Sequence, residues 1–273
     1  MQCGIEIHQR IAGKKLFCNC PPPENPSQET TTFTRKLHAV LSELGELDSA
    51  VRLEATRERI FQYKAQRSST CLVEADEEPP HAINHEALQA VLTFCELLSS
   101  KVVDRVHVMR KNVIDGSNTS GFQRTAVVGL GGKIKTHIGE LGIQTVCIEE
   151  ESAGIVEGKE QSATYELARL GIPLVEIATE PTLKSGKEAQ EAALAIGTLL
   201  RQTGLAARGI GTIRQDLNVS IPEGARVEIK GVQELSMVEK TVDLEVQRQK
   251  ALLEVAAEAK KRIAGKRTEA VFI

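Results

Sequence analysis

The residues in this sequence that could bind a metal ion or transfer a proton are acids and a histidine on short, apolar, strand-like segments. In the segment 4–8, Glu6 and His8 point to one face of a strand, and Ile5 and Ile7 point to the other. A carboxylate beside an imidazole can ligate a divalent cation or transfer a proton. An edge strand with one solvated face shows the same pattern, so this segment alone does not decide the function.

Later segments repeat the combination of acids and apolar residues. Glu149 and Glu150 lie near the end of the segment 145–151, and Glu176 lies inside the apolar segment 173–179. Burying an unpaired carboxylate costs several kcal/mol, so such an acid must face solvent, be paired or hold a cation. These acids, like His8, are therefore candidates for binding a cation.

Two further segments, 213–221 and 226–230, alternate between apolar residues and residues of mixed charge. The polar faces consist of Arg214, Asp216, Asn218 and Ser220 in the first segment and of Arg226, Glu228 and Lys230 in the second. An open antiparallel sheet with one solvated face would alternate in the same way. The mixture of acids and bases favours chemistry, because Mg²⁺-dependent phosphoryl transfer needs oxygen ligands for the cation and cations for the phosphates.

The run 110–125 is dense in hydrogen-bond donors and resembles a phosphate-contacting loop in composition. We expect four of its residues to contact a nucleotide or substrate, namely Lys111, Ser117, Asn118 and Arg124. The run is not a P-loop, since the sequence contains no G-x-x-x-x-G-K-[ST]. The glycine-rich residues 129–132 predict a hairpin turn between two strands.

The elements that would position these residues follow from capping and periodicity. Asn84 is a candidate N-cap, and the residues after it form one apolar helical stripe that consists of Leu88, Val91, Leu92, Cys95 and Leu98. Helices are also predicted at 35–43, 186–203 and 234–264, and a strand at 102–109. In the last helix, Ser236 and Glu239 have capping-box spacing, and the charged residues, including Glu245, predict a solvated face.

Composition argues against several classes of protein, but it does not exclude a nucleic-acid binder, because a local patch or a further domain could carry the contact. The net charge of -3 gives no overall basic field, and the absence of Trp among only 3% aromatic residues argues against a base-stacking platform. The given sequence shows no leading apolar run of signal-peptide shape and no apolar run long enough to span a membrane. The scattered cysteines predict no disulfide framework, and a reducing cytoplasm is the expected setting.

The pair Cys18 and Cys20 could be half of a zinc site. The usual partner is a second close pair, and the next cysteine, Cys71, is far along the chain. The sequence therefore predicts free thiols in a loop, and a structural zinc is doubtful.

Five runs carry a resemblance to a known family: CGIEIHQRIAGKKLFCNCP, RKNVIDGSNTSGFQRT, CIEEESAGI, ELARLGIPLVEIATEP and RQDLNVSIPEGARVEIKGVQELSMVEK. In order and over nearly the whole chain, they resemble the synthetase subunits of tRNA-dependent amidotransferases, the GatB/GatE family. Within that family the SNTSGFQRT run is similar to the archaeal E type. The resemblance implies a cradle-like α+β catalytic domain with a mixed or antiparallel sheet and flanking helices.

The resemblance also implies an activity. A member would use ATP and Mg²⁺ to phosphorylate the γ-carboxyl of glutamate on tRNA(Gln). Ammonia from an asparaginase-like partner, the D subunit (GatD), would then give Gln-tRNA(Gln). Motif by motif, the resemblance assigns catalytic and metal-binding roles to His8, to Glu150 or its neighbour Glu149, and to Glu176, while Glu6 and Asp216 could complete the metal site.

The chain also departs from its family. The cysteine pair that follows C-x-C in zinc-bearing relatives is absent, and members are much longer than 273 residues. The resemblance predicts that 1–273 is the N-terminal part of the catalytic domain, that a synthetase-like insertion domain begins near 265–273, and that C-terminal tRNA-binding domains are missing. Two alternatives stay open: a bacterial-type B subunit that acts with the A and C subunits, and a non-catalytic tRNA-binding or assembly module.

Overall fold

A computed structural model describes residues 1–23, 29–36, 41–42, 44–159 and 161–263. The strands are β1 (Gln2–Arg10), β2 (Thr30–Arg35), β3 (Ile60–Gln66), β4 (Lys101–Val102), β5 (Met109–Asn112), β6 (Phe122–Leu130), β7 (Lys133–Thr136), β8 (Gly139–Glu150), β9 (Gly154–Gly158), β10 (Ser162–Glu166), β11 (Pro173–Thr179), β12 (Ile213–Ser220) and β13 (Val227–Val232). The helices are α1 (Ser49–Ala55), α2 (His85–Leu97), α3 (Gly186–Gln202) and α4 (Leu235–Ile263), with a short 3₁₀ turn at Leu167–Arg169.

The strands form two sheets. The larger has the order β13-β12-β1-β11-β8-β6-β4, with β5 also paired to β6 and β7 to β8, and its pairs are antiparallel. The smaller has the order β2-β3-β10-β9, in which β3 and β10 are parallel. This mixture of helices with antiparallel and mixed open sheets confirms the predicted α+β class.

Helices cover one face of the larger sheet, which leaves the other face for polar residues. Helix α2 packs on β6 and β8, α3 on β1, and α4 on β12 and β13. Ile5 and Ile7 of β1 are buried in the same core as Ile196 of α3 and Val242 of α4. The alternation of β1 therefore places Glu6 and His8 on the face opposite the helices.

The start of α2 confirms the prediction from capping. The side chain of Asn84 accepts a hydrogen bond from the backbone N–H of Ala87 at 3.0 Å. Such a cap satisfies a backbone donor that the first turn of a helix leaves unpaired. Cys95 is fully buried in this helix, as its place in the apolar stripe predicts.

Two predictions between residues 100 and 140 are wrong. The predicted strand 102–109 is reduced to the ends of β4 and β5, and the residues between them are not in a strand. Gly131 and Gly132 do not form a hairpin turn, because β6 and β7 both pair with β8. The two glycines instead interrupt one long strand, and the chain reverses between β7 and β8.

Two helix predictions also need correction. In the range 35–43, Arg35 ends a strand and the other described residues are not helical, while 37–40 and 43 lie outside the described residues. Helix α4 begins at Leu235, so Ser236 lies inside the helix and does not cap it. Glu245 is buried, not solvated, and accepts hydrogen bonds from Arg248 and Gln249.

In the part of the chain that the structure describes, no helix is both long enough and apolar enough to cross a membrane. The expected start of an insertion domain near 265–273 lies outside the described residues.

Candidate active site

The centre of the candidate site is a cross-strand pair on β1 and β11. His8 lies directly opposite Glu176 in the antiparallel register. The Nε2 atom of His8 is 3.1 Å from the Oε2 atom of Glu176. The sequence-based prediction that these two residues converge is therefore correct, although they are 168 positions apart in the chain.

Glu149 completes a first ligand group with this pair. It lies on β8, the strand beside β11, and its carboxylate and the ligand atoms of His8 and Glu176 are within 4.8 Å of one another. The Nε2 atom of Gln123 donates a hydrogen bond to Glu149 Oε2 at 3.2 Å, which helps to fix the carboxylate. Two oxygens and one nitrogen form a ligand set that divalent cations accept.

The electrostatics of this group fit a cation. Burial, and then the charge of Glu176, raise the pKa of the Glu149 carboxyl. Burial also acts to raise the pKa of Glu176, but the hydrogen bond and charge of His8 outweigh it and the pKa is lowered. The Nδ1 atom of His8 is buried without a hydrogen-bond partner among the described residues. An imidazole whose Nε2 atom faces one of two crowded carboxylates suits Mg²⁺ or Mn²⁺ binding.

A second ligand group lies beside the first. The carboxylates of Glu6, Asp216 and Glu228 are within 4.8 Å of one another, on the neighbouring strands β1, β12 and β13. The Nδ2 atom of Asn218 donates to Glu6 Oε1 at 2.9 Å, and the backbone N–H of Gly231 donates to Asp216 Oδ1 at 2.7 Å. An all-oxygen group of this kind suits a hard cation such as Mg²⁺.

Sequence analysis placed Glu228 on a polar strand face but did not assign it to the site. Glu228 lies opposite Asn218 across the β12–β13 pair, next to the Glu6–Asp216 pair. The signal was present in the alternation of 226–230. What the sequence could not show is that β13 pairs with β12, which itself pairs with β1.

Two lysines contact the two ligand groups. The Nζ atom of Lys111 is 3.6 Å from Glu149 Oε1 and 3.8 Å from Glu176 Oε2. Burial lowers the pKa of Lys111, but the charges of Glu149 and Glu176 outweigh it and the net shift is upward. Lys230 stands in the same relation to the second group, with Nζ 2.7 Å from Glu228 Oε1 and 3.7 Å from Asp216 Oδ2.

A separate cluster joins three thiols and a carboxylate. The ligand atoms of Cys18, Cys20, Cys71 and Glu74 are within 4.8 Å of one another. Cys18 Sγ is 2.8 Å from Glu74 Oε1, and the backbone N–H of Cys71 donates to Glu74 Oε2 at 2.7 Å. Cys71 and Glu74 therefore lie beside the C-x-C pair in space, a proximity that the sequence did not predict.

The thiol cluster has the number and type of ligands that tetrahedral zinc takes. Burial raises the pKa of the Cys20 thiol to about 11 and that of Cys18 further. Lys15 is fully buried beside the cluster, with Nζ 3.6 Å from Glu74 Oε1. A buried ammonium next to thiolates and a carboxylate would offset the excess negative charge of a zinc complex with three thiolates and a carboxylate.

Comparison with known proteins decides the family. The profile of the GatB/GatE catalytic domain matches residues 1–271. This chain belongs to the GatB/GatE family. It is 52% identical over 256 residues to the E subunit of the glutamyl-tRNA(Gln) amidotransferase of Aeropyrum pernix, a match that covers 93% of this chain and 40% of the relative.

Other relatives bear the same name. The protein of Halobacterium salinarum is 53% identical over 257 residues, covering 93% of this chain and 41% of the relative. That of Archaeoglobus fulgidus is 52% identical over 264 residues, covering 96% of this chain and 43% of the relative. The chain thus spans about two fifths of the length of the curated relatives that it matches.

In this GatB/GatE family chain, Glu150 does not join the first ligand group. Alternation along β8 turns Glu150 to the face opposite Glu149. There its Oε1 accepts from the backbone N–H of Arg124 at 2.9 Å and from Arg124 Nη1 at 3.2 Å. Burial still raises the pKa of Glu150. Of the two neighbouring acids that the sequence left open, the geometry favours Glu149 as the ligand.

The four expected nucleotide contacts divide between two places. Lys111 lies at the first ligand group, whereas Asn118 and Arg124 line a small cavity together with Glu150 and Glu74. Ser117 is buried next to Asn118 in the chain, and its carbonyl accepts a hydrogen bond from the N–H of Ala153. Of the four predicted nucleotide contacts, Lys111 therefore lies at a ligand group. Ser117, Asn118 and Arg124 lie away from both ligand groups.

Proposed function

We propose that this chain forms the catalytic domain of the E subunit of an archaeal-type glutamyl-tRNA(Gln) amidotransferase. The main support is the pair of adjacent cation-ligand groups, each with a lysine, on one face of the larger sheet. Activation of a carboxyl group by ATP needs this combination. A carboxylate is a poor electrophile, and the triphosphate carries charge that must be offset.

The proposed reaction has two steps. A γ-carboxylate oxygen of glutamate on tRNA(Gln) attacks the γ-phosphorus of ATP, the bond to the bridging oxygen breaks, and ADP leaves an acyl phosphate behind. Ammonia then attacks the carbonyl carbon, the bond from that carbon to the phosphate oxygen breaks, and proton loss gives Gln-tRNA(Gln) and inorganic phosphate. The enzyme would thus be a carbon–nitrogen bond-forming ligase that uses ATP.

The residues of this chain have distinct parts in that scheme. Two groups would hold Mg²⁺, one formed by His8, Glu149 and Glu176 and the other by Glu6, Asp216 and Glu228. Bound Mg²⁺ supplies charge neutralisation at the phosphates. Lys111 would contact a phosphate oxygen, because its ammonium lies at the edge of the first group and is half exposed. The hydrogen-bonded strands hold all these side chains in fixed relative positions.

Partners and setting follow from the family. We propose that ammonia comes from an asparaginase-like D subunit (GatD), that the two proteins act as a heterodimer, and that the complex works on glutamate-charged tRNA(Gln) in the cytoplasm. The alternative is a bacterial-type B subunit with the A and C subunits. The names of the three relatives described above, each an E subunit, support the first.

The test uses full-length protein, Glu-tRNA(Gln), ATP and an ammonium salt, which replaces ammonia from the partner. We expect ADP and Gln-tRNA(Gln) to form in equal amounts and only when Mg²⁺ is present. No tRNA-dependent ATP cleavage would favour the non-catalytic module, whereas ATP cleavage without amide formation would contradict the proposed second step. Co-purification with an asparaginase-like protein would separate the E type from the B type.

We also propose that the cluster of Cys18, Cys20, Cys71 and Glu74 holds a structural zinc ion. The four ligand atoms converge from a loop near the N-terminus and from residues about fifty positions later. A metal that joins two such segments adds its binding free energy to folding.

Cys71→Ser is expected to remove this zinc and to destabilise the fold by more than about 4 kcal/mol, the range seen when structural metals are lost. Metal analysis of the purified protein should fall from one zinc per chain to none, and urea unfolding should shift to lower concentration. Cys95→Ala is the control, because Cys95 is buried in α2 outside the cluster. Wild-type protein that contains no zinc would disprove the proposal.

A further inference from the structure

Lys230 lies where β13 is bulged beside the second ligand group. In the β12–β13 pair, Gln215 is opposite Val232 and Leu217 is opposite Ile229, so Asp216 faces both Lys230 and Gly231. Gly231 adopts a φ of 75°, a conformation that glycine provides without strain. A β-bulge of this kind redirects side chains next to a site.

The bulge presents two donors to one carboxylate. The backbone N–H of Gly231 donates to Asp216 Oδ1 at 2.7 Å, and Lys230 Nζ lies 3.7 Å from Asp216 Oδ2. The side chain of Lys230 is nevertheless 71% exposed. Its ammonium can therefore turn toward a ligand in the solvent above the acids. The main chain beside it stays fixed.

A count of charges shows what the lysines would do. The two ligand groups contain five carboxylates and a histidine that is neutral when it binds metal. Two divalent cations would offset four of the five negative charges and leave the site with a net charge of minus one. Lys111 and Lys230 reverse this sign to plus one. With the lysines, the cation-loaded site attracts a polyphosphate; without them, it repels one.

We propose that Lys230, together with Lys111, positions the triphosphate of the nucleotide between the two ligand groups. This inference rests on the proposed function, because it assumes that ATP binds at these groups. The two lysines lie at opposite ends of the combined acidic surface, one beside Glu149 and Glu176 and the other beside Asp216 and Glu228. Each can contact phosphate oxygens that the cations do not cover.

A competing role for Lys230 follows from its strand, since β13 is at the edge of the sheet order. Edge strands often carry lysine because its charge prevents pairing with another chain. Such a lysine would have no effect on nucleotide affinity.

The experiment measures two affinities in the full-length protein: that of Mn²⁺ alone, by electron paramagnetic resonance, and that of ATP at saturating Mn²⁺. Lys230→Met is expected to weaken ATP binding about tenfold, the usual worth of a charge-assisted contact, while Mn²⁺ binding stays equal or becomes tighter. Lys230→Arg should restore most of the ATP affinity. Lys133→Met, which removes another exposed strand lysine, is the control.

The outcomes separate the hypotheses. Unchanged ATP affinity in Lys230→Met overturns the inference while the proposed function stands. Parallel loss of Mn²⁺ and ATP binding also overturns it, since that result indicates damage to the ligand group. Wild-type protein that binds no ATP in the presence of Mn²⁺ refutes the proposed function, and the role of Lys230 with it.

Discussion

Glu176→Gln in the full-length protein is expected to lower the rate of Gln-tRNA(Gln) formation, and the affinity for Mn²⁺, by about a hundredfold or more. Glutamine keeps the size of the side chain but removes the charge from the carboxylate between His8 and Glu149. The first ligand group then has one carboxylate in place of two. Amide formation under saturating ATP, and Mn²⁺ titration of the purified protein, measure the two effects.

In metal-free protein, the same substitution should change the free energy of unfolding only slightly. Loss of the His8 contact destabilises the protein, but relief of the repulsion by Glu176, which adds to burial in raising the pKa of Glu149, acts the other way. We expect the free energy of unfolding to change by less than about 1 kcal/mol. Glu140→Gln is the matched control, because Glu140 lies on β8 but pairs with Lys133 at the surface. Equal Mn²⁺ affinity in Glu176→Gln and wild type would refute the assignment of this ligand group.

Gly186→Ala is expected to destabilise the protein by about 1–3 kcal/mol, the usual cost of overpacking. Gly186 is the first residue of α3, and a Cβ atom there would lie 2.4 Å from the backbone oxygen of Glu239 in α4. Backbone cannot move aside as the end of a flexible side chain can, so α3 and α4 would have to separate. Urea unfolding followed by circular dichroism measures the change.

For Gly197→Ala in the same helix, we expect no loss of stability. The added Cβ would meet only Ile213 Cδ1 at 3.4 Å, which is ordinary van der Waals contact. Alanine is favoured over glycine in a helix interior by about 0.5–1 kcal/mol, so this variant should be neutral or more stable. If both variants unfold at the same urea concentration, α3 and α4 do not approach each other as closely at Gly186 as the backbone positions indicate.

Local patterns predicted the elements that carry the site. The run of apolar residues at 173–179 identified β11 at its observed bounds, and the Asn84 cap identified α2. Both signals act within a few residues, where backbone geometry and capping decide the structure. The convergence of His8 and Glu176 came from the family resemblance and from the expectation that acids on apolar strands share a cation.

The sequence alone could not show which segments, distant along the chain, pair in the sheets. Alternation shows that Glu149 and Glu150 face opposite sides, but only the position of β8 beside β11 decides which of them meets Glu176. The approach of Cys71 and Glu74 to Cys18 likewise depends on tertiary packing. The predicted strand 102–109 failed because alternation alone does not supply a partner, and β6 pairs with only the ends of that stretch.

The place of β1 in the larger sheet has a consequence for biosynthesis. Residues Gln2–Arg10 leave the ribosome long before their neighbours in the sheet, β11 and β12, which begin at Pro173 and Ile213. Until those strands are translated, the nascent chain exposes Ile5 and Ile7 and two unpaired backbone edges, which are prone to aggregation. Co-translational folding of this sheet must therefore finish late, and chaperone demand should be highest before Ser220, the last residue of β12, emerges.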